Sequence, residues 1–309
     1  MEKQNKSFLQ NEYGRRKFIT FSAKAAGAAV LLSSPLMSFA GKTVGGAKSV
    51  TVGEIMDAFI GEVPGSPFPT TVDTLKAGSR DMKVTGIVTT MFATLDVVQK
   101  TIASGANFII AHEPTFYNHT DETSWLENDP VYRFKAELLS KNQVVVWRNH
   151  DYIHQHQPDG VVSAVVTKLG WSSYYNEANY IALIPGLPLK ALIQQVKQQL
   201  GIEMVRYIGD PGQTCKKILL IPGAAGGRTQ INAMSKVQPD VLICGEIQEW
   251  ETAEYVRDAQ TKGQKLSLIV LGHIASEEPG SEYMADWLRK KMPDIKVTHI
   301  PAGNSLSFL

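Results

Sequence analysis

The feature that most constrains the fold of this chain is an alternation, from residue 51 onwards, between short apolar runs and longer segments with helical spacing. The short runs are rich in Val and Ile, which is typical of buried strands. We predict strands at 84–91, 107–111, 144–147, 180–184, 218–221, 241–244, 266–271 and 297–300. We predict helices at 52–59, 95–104, 132–141, 161–169, 189–200, 230–237, 249–260 and 282–291. This order predicts an α/β fold in which helices cover mixed or parallel sheets.

The alternating pattern restarts after Trp171. Residues 51–309 are therefore predicted to form a domain of two similar α/β halves, at about 51–175 and 176–309. The composition, 43% hydrophobic and 20% charged, is that of a globular protein with a substantial core.

Residues 1–40 have the pattern of an export signal. Arg15 and Arg16 precede a modestly apolar stretch at 21–36, and Ser38-Phe39-Ala40 fits a cleavage site. This resembles a bacterial twin-arginine signal, which predicts export to the periplasm. A retained membrane anchor is the alternative, but the stretch is short and Lys24 within it would be costly in lipid. Residues 41–50 would then form a linker, with no stable anchor after cleavage.

The remainder of the chain is weakly acidic. Residues 1–40 hold six basic and two acidic residues, whereas the whole chain has a formal net charge of +1. Nonspecific nucleic-acid binding needs a basic surface, so no nucleic-acid partner is predicted. The two cysteines, Cys215 and Cys244, are too few for a disulfide framework and are predicted to be free thiols.

Polar clusters follow three of the predicted strands. The clusters at 111–114, 149–151 and 272–277 each contain His and a carboxylate. In α/β sheets, reactive groups collect beyond the carboxyl ends of the strands. Imidazole with carboxylate suits Zn²⁺, Mn²⁺ or Fe²⁺, and several carboxylates supply the charge that a second cation needs. His273 and Glu277 are four residues apart and can face one metal ion from a helical turn. A single cluster of this kind is more often structural than functional. The spacing of the residues is also compatible with a site that holds one metal ion.

Five motifs, three of which contain these clusters, resemble motifs of a known family. They are Val52-Gly53-Glu54-Ile55-Met56-Asp57-Ala58, Ala106-Asn107-Phe108-Ile109-Ile110-Ala111-His112-Glu113-Pro114, Trp147-Arg148-Asn149-His150-Asp151, Cys244-Gly245-Glu246-Ile247 and Gly272-His273-Ile274-Ala275-Ser276-Glu277. They are similar to motifs of the Nif-three-like dinuclear metal centre family, some members of which carry the name type 2 GTP cyclohydrolase I. The likeness extends from about Val52 to the C-terminus.

The resemblance implies two divalent metal ions per chain, held between the two halves, with ligands at His112, Asp151, His273 and Glu277. The chain departs from the family pattern twice, because Glu113 and Trp147 replace histidines. Glu113 can still coordinate and would favour harder cations such as Mn²⁺ or Fe²⁺. Trp147 cannot coordinate, so the loss of one metal position is the alternative.

Further residues near the clusters are accessory candidates. His154 and His156 can replace the missing imidazoles, although a solvated loop is the simpler alternative. His119 lies seven residues past His112 and can reach the mouth of the site. Glu246 is a candidate general base or a hydrogen-bond partner of a ligand. We interpret His150 and His299 as structural.

The function that this pattern favours is hydrolysis of a small molecule by a metal-activated water. The resemblance implies GTP ring opening, but an exported protein meets little GTP and the chain has no guanine-reading motif. A non-enzymatic metal-binding or metal-handling protein is one alternative. Another is a scaffold in which metal only stabilises an assembly, since the resemblance also implies a homohexamer.

Overall fold

The structure is a computed structural model that describes residues 49–307, so the predicted export signal and most of the predicted linker lie outside the described residues. Its first sheet has five strands, in the spatial order β1 (Leu75–Ala77), β4 (Val145–Arg148), β3 (Phe108–Ala111), β2 (Ile87–Thr90) and β11 (Val297–His299). The last four of these are parallel, and β1 is antiparallel to β4. This sheet therefore contains strands from both ends of the described chain.

The second sheet has six strands, in the order β5 (Tyr175–Asn176), β6 (Ile181–Pro188), β8 (Thr214–Ile221), β9 (Val241–Cys244), β10 (Ser267–Val270) and β7 (Arg206–Ile208). The three strands β8, β9 and β10 are parallel and carry antiparallel strands on both sides. The α/β class with mixed sheets is thus confirmed. Cys215 and Cys244 are buried free thiols on the neighbouring strands β8 and β9.

The helices are α1 (Val52–Ile60), α2 (Leu95–Ala103), α3 (Pro130–Lys141), α4 (Asp151–Gln155), α5 (Gly160–Lys168), α6 (Leu189–Leu200), α7 (Gly227–Val237), α8 (Glu254–Thr261) and α9 (His273–Lys291). Helices α1, α2, α3 and α5 begin with a side-chain cap from Thr51, Thr94, Asp129 and Asp159, respectively. Thr51 and Glu54 form a reciprocal capping box on α1, and Asp129 caps α3 ahead of Pro130. No helix within residues 49–307 is long and apolar enough to cross a membrane.

Helices cover both faces of the first sheet, because its parallel strands are apolar on both sides. Phe59 of α1 and Trp147 of β4 pack on one face, in a cluster that also contains residues of α9. Val97 of α2 and Ile109 of β3 pack on the other face. This double burial fixes the carboxyl ends of β2, β3 and β4, from which the polar segments emerge.

Helix α9 begins at His273, nine residues before the predicted start at 282. This early start is unexpected from the sequence, because Pro279 and Gly280 disfavour a helix interior. Gly280 is required by packing, since a Cβ at this position would lie 2.8 Å from Cγ2 of Val161 on α5. The helix therefore pairs closely with α5, and its first turn carries both His273 and Glu277.

Candidate metal centre

The polar segments of the two sheets meet in one cluster. From the first sheet, His112 and Glu113 follow β3, and His150 follows β4 at the start of α4. From the second sheet, Glu246 follows β9, and α9 follows β10. The carboxyl ends of parallel strands therefore present these side chains, as is usual for sites in α/β proteins.

One group of candidate ligands contains two carboxylates and one imidazole. His112, Glu113 and Glu277 are all buried, and each offers a ligand atom within 4.8 Å of the other two. Nε2 of His112 lies 3.6 Å from Oε2 of Glu277. His273 adjoins this group, with its Nε2 2.9 Å from Oε2 of Glu277 and 3.3 Å from Oε1 of Glu113. Such a donor set suits a hard or borderline divalent cation.

A second group contains three imidazoles. His112, His150 and His154 also offer ligand atoms within 4.8 Å of one another. The ring of His112 stacks on that of His150 with centroids 4.8 Å apart, and both contact His154 at 5.1 Å. Because His112 belongs to both groups, the cluster has a nitrogen-rich side and an oxygen-rich side that share one residue.

The Nδ1 atom of each of these histidines has an oxygen partner. The partner is the carbonyl of Asn149 for His112 at 3.2 Å and a carboxylate for each of the others. The carboxylates are Asp151 for His150 at 3.0 Å, Asp159 for His154 at 3.0 Å and Glu246 for His273 at 2.9 Å. Carboxylate or carbonyl partners of this kind orient metal-binding histidines and leave Nε2 as the ligand atom.

Two features of the cluster fit a bound cation. Nε2 of His112 is buried and has no hydrogen-bond partner among the described residues, and buried polar atoms are rarely left unpaired. The carboxylate of Glu277 packs against Gly223 so closely that a Cβ at position 223 would lie 2.2 Å from its Oε1 atom. A divalent ion coordinated by His112 and Glu277 would satisfy the orphaned nitrogen.

The charges of the cluster are strongly coupled. Burial alone would raise the pKa of Glu113, but the hydrogen bond to His273 and the charges of His112 and His150 outweigh it and lower the pKa to about 2. Burial would lower the pKa of His273, yet its bonds to Glu113, Glu246 and Glu277 raise it to about 12. Burial lowers the pKa of His150 to about 4, against the opposing bond to Asp151. His273 must therefore release a proton before it can coordinate a cation.

The structure places the predicted ligands and accessory residues differently from one another. His112, Glu113 and Glu277 come together, with His273 beside them. Asp151 is in neither group, because Oδ1 faces His150 and Oδ2 accepts hydrogen bonds from the Thr71 hydroxyl and the Val72 amide. Its ligand role stays a prediction, whereas the geometry shows it orienting His150.

The accessory candidates also separate. His154 is in the imidazole group, but His156 stacks on Phe59 and contacts the hydroxyl of Tyr283, outside both groups. The ring of His119 is 6.0 Å from that of His150, at the margin of the cluster. Glu246 bonds to His273 and its side chain is 55% exposed, which places it at the rim.

His150, which the sequence pattern led us to interpret as structural, lies in the imidazole group. A signal was available, because His150 lies just beyond the carboxyl end of β4, as His112 lies just beyond that of β3. Its backbone amide and that of Tyr152 donate to the buried carboxylate of Asp73, each at 2.8 Å. Asp73 thus fixes the first turn of α4, which holds both His150 and His154 at the cluster.

The sequence matches the model of one family over residues 73–304: Duf34/NIF3, NGG1p interacting factor 3. Two relatives named GTP cyclohydrolase 1 type 2 homolog are similar to the chain. The one from Clostridium perfringens is 24% identical over 215 residues, covering 66% of this chain and 78% of the relative. The one from Clostridium acetobutylicum is 26% identical over 223 residues, covering 68% and 79%.

Solved structures share the fold. A hypothetical protein from Staphylococcus aureus superposes with a TM-score of 0.67 at 19% identity, covering 85% of this chain and 100% of that protein. A Bacillus cereus protein related to NIF3 superposes with a TM-score of 0.68 at 15% identity, covering 85% and 99%. At these identities the likeness establishes the two-sheet architecture alone.

Proposed function

Because the chain belongs to the NIF3 family and gathers two candidate ligand groups around His112, we propose that it binds two divalent metal ions and uses them to hydrolyse a small molecule. The observation that carries this proposal is the buried, unpaired Nε2 of His112, a residue that belongs to both candidate groups. Glu113, Glu277 and His273 would hold one ion, and His150 and His154 would contribute to the other. His112 would complete one of the two sites, because its Nδ1 faces the carbonyl of Asn149 and its Nε2 can coordinate a single ion. The metal identity is proposed to be Zn²⁺, Mn²⁺ or Fe²⁺.

Bound divalent ions would supply Lewis acidity and make a water molecule acidic enough to act as a nucleophile near neutral pH. The protein residues prepare the site for this chemistry. Glu246, Asp151 and Asp159 orient the histidines through Nδ1, so that their rings need no reorganisation. Burial of Glu113 and Glu277 reduces screening by solvent and strengthens their attraction to a cation.

Metal analysis of the protein purified without added metal or chelator tests the binding proposal. We expect about two equivalents per chain in the wild type and fewer in both His112→Ala and His154→Ala, since each variant removes a candidate ligand. His299→Ala is the matched control, because His299 is a half-buried histidine that contacts Thr89 and Glu278 outside the cluster. A metal-free wild type, or equal metal loss in the His299 variant, would overturn the proposal.

A substrate screen with the metal-loaded protein tests the hydrolase proposal. Phosphoesters, amides and cyclic amidines are the substrate classes, and GTP is included because the clostridial relatives carry the name GTP cyclohydrolase 1 type 2 homolog. Turnover that disappears in His112→Ala would support hydrolysis. Two tightly bound ions without turnover of any class would favour the metal-handling alternative.

Export by the twin-arginine route to the periplasm, and assembly as a homohexamer, are further proposals. The first rests on Arg15, Arg16 and the apolar stretch at 21–36, and the second on the family likeness. Cell fractionation of the wild type and of Arg15→Lys/Arg16→Lys tests export, and we expect the double variant to remain in the cytoplasm. Light scattering of the purified protein, with and without chelator, tests the assembly and its dependence on metal.

A further inference from the structure

Arg148, the last residue of β4, is a completely buried cation beside the cluster, with 0% of its side chain exposed. Its Nε donates to the carbonyl oxygen of His112 at 3.3 Å, and its Nη1 donates to the carbonyl oxygen of His119. Its Nη2 donates to Oε2 of Glu113 at 3.2 Å. Because the two carbonyls fix the plane of the guanidinium, the direction of the third donor is also fixed.

This contact divides the two oxygens of Glu113 between two roles. Oε2 is held by Arg148, whereas Oε1 lies 3.3 Å from Nε2 of His273 and 3.7 Å from Nε2 of His150. Only Oε1 is therefore directed at the other candidate ligands. The guanidinium also balances the charge of a buried carboxylate, which otherwise costs free energy to desolvate.

We propose that Arg148 is a positioning residue that makes Glu113 a one-oxygen metal ligand and holds that oxygen in place before the ion binds. This inference rests on the proposed metal-binding function. It assigns a role to a residue that lacks any ligand atom for a cation, since arginine carries donors only. It also explains how a glutamate can occupy this position without closing over the ion with both oxygens.

Two substitutions of Glu113 distinguish this role from general charge balance. In Glu113→Gln, Arg148 will bind the amide oxygen, because arginine can donate but not accept hydrogen bonds. The amide nitrogen will then face the ligand position. A freely rotating Gln would instead offer its oxygen to the ion. We therefore expect Glu113→Gln to bind Zn²⁺ about tenfold more weakly than Glu113→Ala, measured by competition with a chromophoric chelator. Equal affinities, or tighter binding by Glu113→Gln, would overturn the proposal.

A double-mutant cycle of Arg148 and Glu113 tests Arg148 directly. Arg148→Lys keeps the charge but loses the fixed fork, and we expect it to weaken Zn²⁺ binding by about 10- to 100-fold. In a Glu113→Ala background the same substitution should weaken Zn²⁺ binding much less, because, of its contacts with the candidate ligands, only that with the carbonyl of His112 is then lost. Equal weakening in both backgrounds would contradict the inference. Arg80→Lys is the control, because Arg80 pairs with Asp57 at an exposed position.

Thermal unfolding of the metal-free variants shows which of them fold. If Arg148→Lys does not fold, the comparison of Glu113→Gln with Glu113→Ala decides alone. Failure of the wild type to bind Zn²⁺, Mn²⁺ and Fe²⁺ would overturn the proposed function and this inference together. Wild-type binding with the opposite order of the two Glu113 variants would overturn only the role of Arg148.

Discussion

Nδ1 of His273 and Oε1 of Glu246 lie 2.9 Å apart, while Nε2 of the same ring lies 2.9 Å from Oε2 of Glu277. The imidazole is thus held between a carboxylate at the rim and a carboxylate inside the cluster. Because Glu246 is 55% exposed, its contribution is to orient the ring and not to support the core. A substitution of Glu246 should therefore change metal affinity without a large change in folding stability.

We expect Glu246→Ala to lower the affinity for Zn²⁺ by about 10- to 100-fold, because His273 loses the partner that fixes its ring. The melting temperature of the metal-free protein should change little, since a half-exposed side chain is removed. Chelator competition and calorimetry measure the two quantities. Glu249→Ala, which removes an exposed carboxylate paired with Arg206, should leave affinity unchanged. Equal effects of the two variants would contradict the orienting role.

Gly223 is a second position at which the effect of a substitution on metal binding can be distinguished from its effect on stability. Its φ of +68° strains any substituted residue, and a Cβ would also lie 2.2 Å from Oε1 of Glu277. We expect Gly223→Ala to displace the Glu277 carboxylate and to abolish Zn²⁺ binding, measured by elemental analysis. Gly226→Ala is the matched control, because Gly226 has a φ of +80° but nothing lies within 4 Å of its Cβ position. Both variants should lose about 1–3 kcal/mol of stability from backbone strain, and only the first should lose metal.

Much of the fold could be predicted from the sequence because the hydrophobic pattern reports burial directly. Helix α6 at Leu189–Leu200 and strand β9 at Val241–Cys244 have the predicted bounds. The short strands β1, β5 and β7 were missed, since edge strands carry little apolar periodicity. The early start of α9 was missed because close packing against α5 overrides the unfavourable propensities of Pro279 and Gly280.

The site was harder to predict because sequence spacing does not reveal which way a side chain is held. Asp151 follows β4 as a ligand would, but Thr71, 80 residues earlier, engages its Oδ2. His150 looked structural because nothing near it in the sequence shows that its ring stacks on His112. The placement of both residues depends on partners that only the folded chain brings together.

Trp147 has the contacts of a core residue, and its contribution to stability can be measured. Its side chain is fully buried, packs edge-to-face on Phe59 at 6.2 Å and donates from Nε1 to the carbonyl of Asp73 at 3.4 Å. We expect Trp147→Ala to lower the free energy of unfolding by about 3–5 kcal/mol, measured by urea denaturation of the metal-free protein. Trp125→Ala, at an exposed position, should change it by less than about 0.5 kcal/mol. A small effect at Trp147 would show that the residue is not part of the core.

Lys135 predicts a pH dependence that is independent of metal. Its ammonium group is buried on α3, where it donates to the carbonyl oxygen of Thr115 at 2.7 Å and lies over the ring of Phe116. Burial lowers its pKa from the ordinary value of 10.5 to about 8, against the opposing charge of Asp121. Between these two pH values the unfolded chain binds more protons at this position than the folded protein does, so this residue makes stability rise with pH.

The measurement is the free energy of unfolding from urea titrations between pH 7 and about 10.5, in wild type and in Lys135→Met. We expect the stability of the wild type relative to the variant to increase over this range, because the wild type loses its buried charge while the variant has none. The control is Lys141→Met, because Lys141 is exposed on the same helix and pairs with Glu137. The stability of the wild type relative to this variant should show no such increase. A difference between wild type and Lys135→Met that is constant with pH would mean that Lys135 stays solvated in the folded protein.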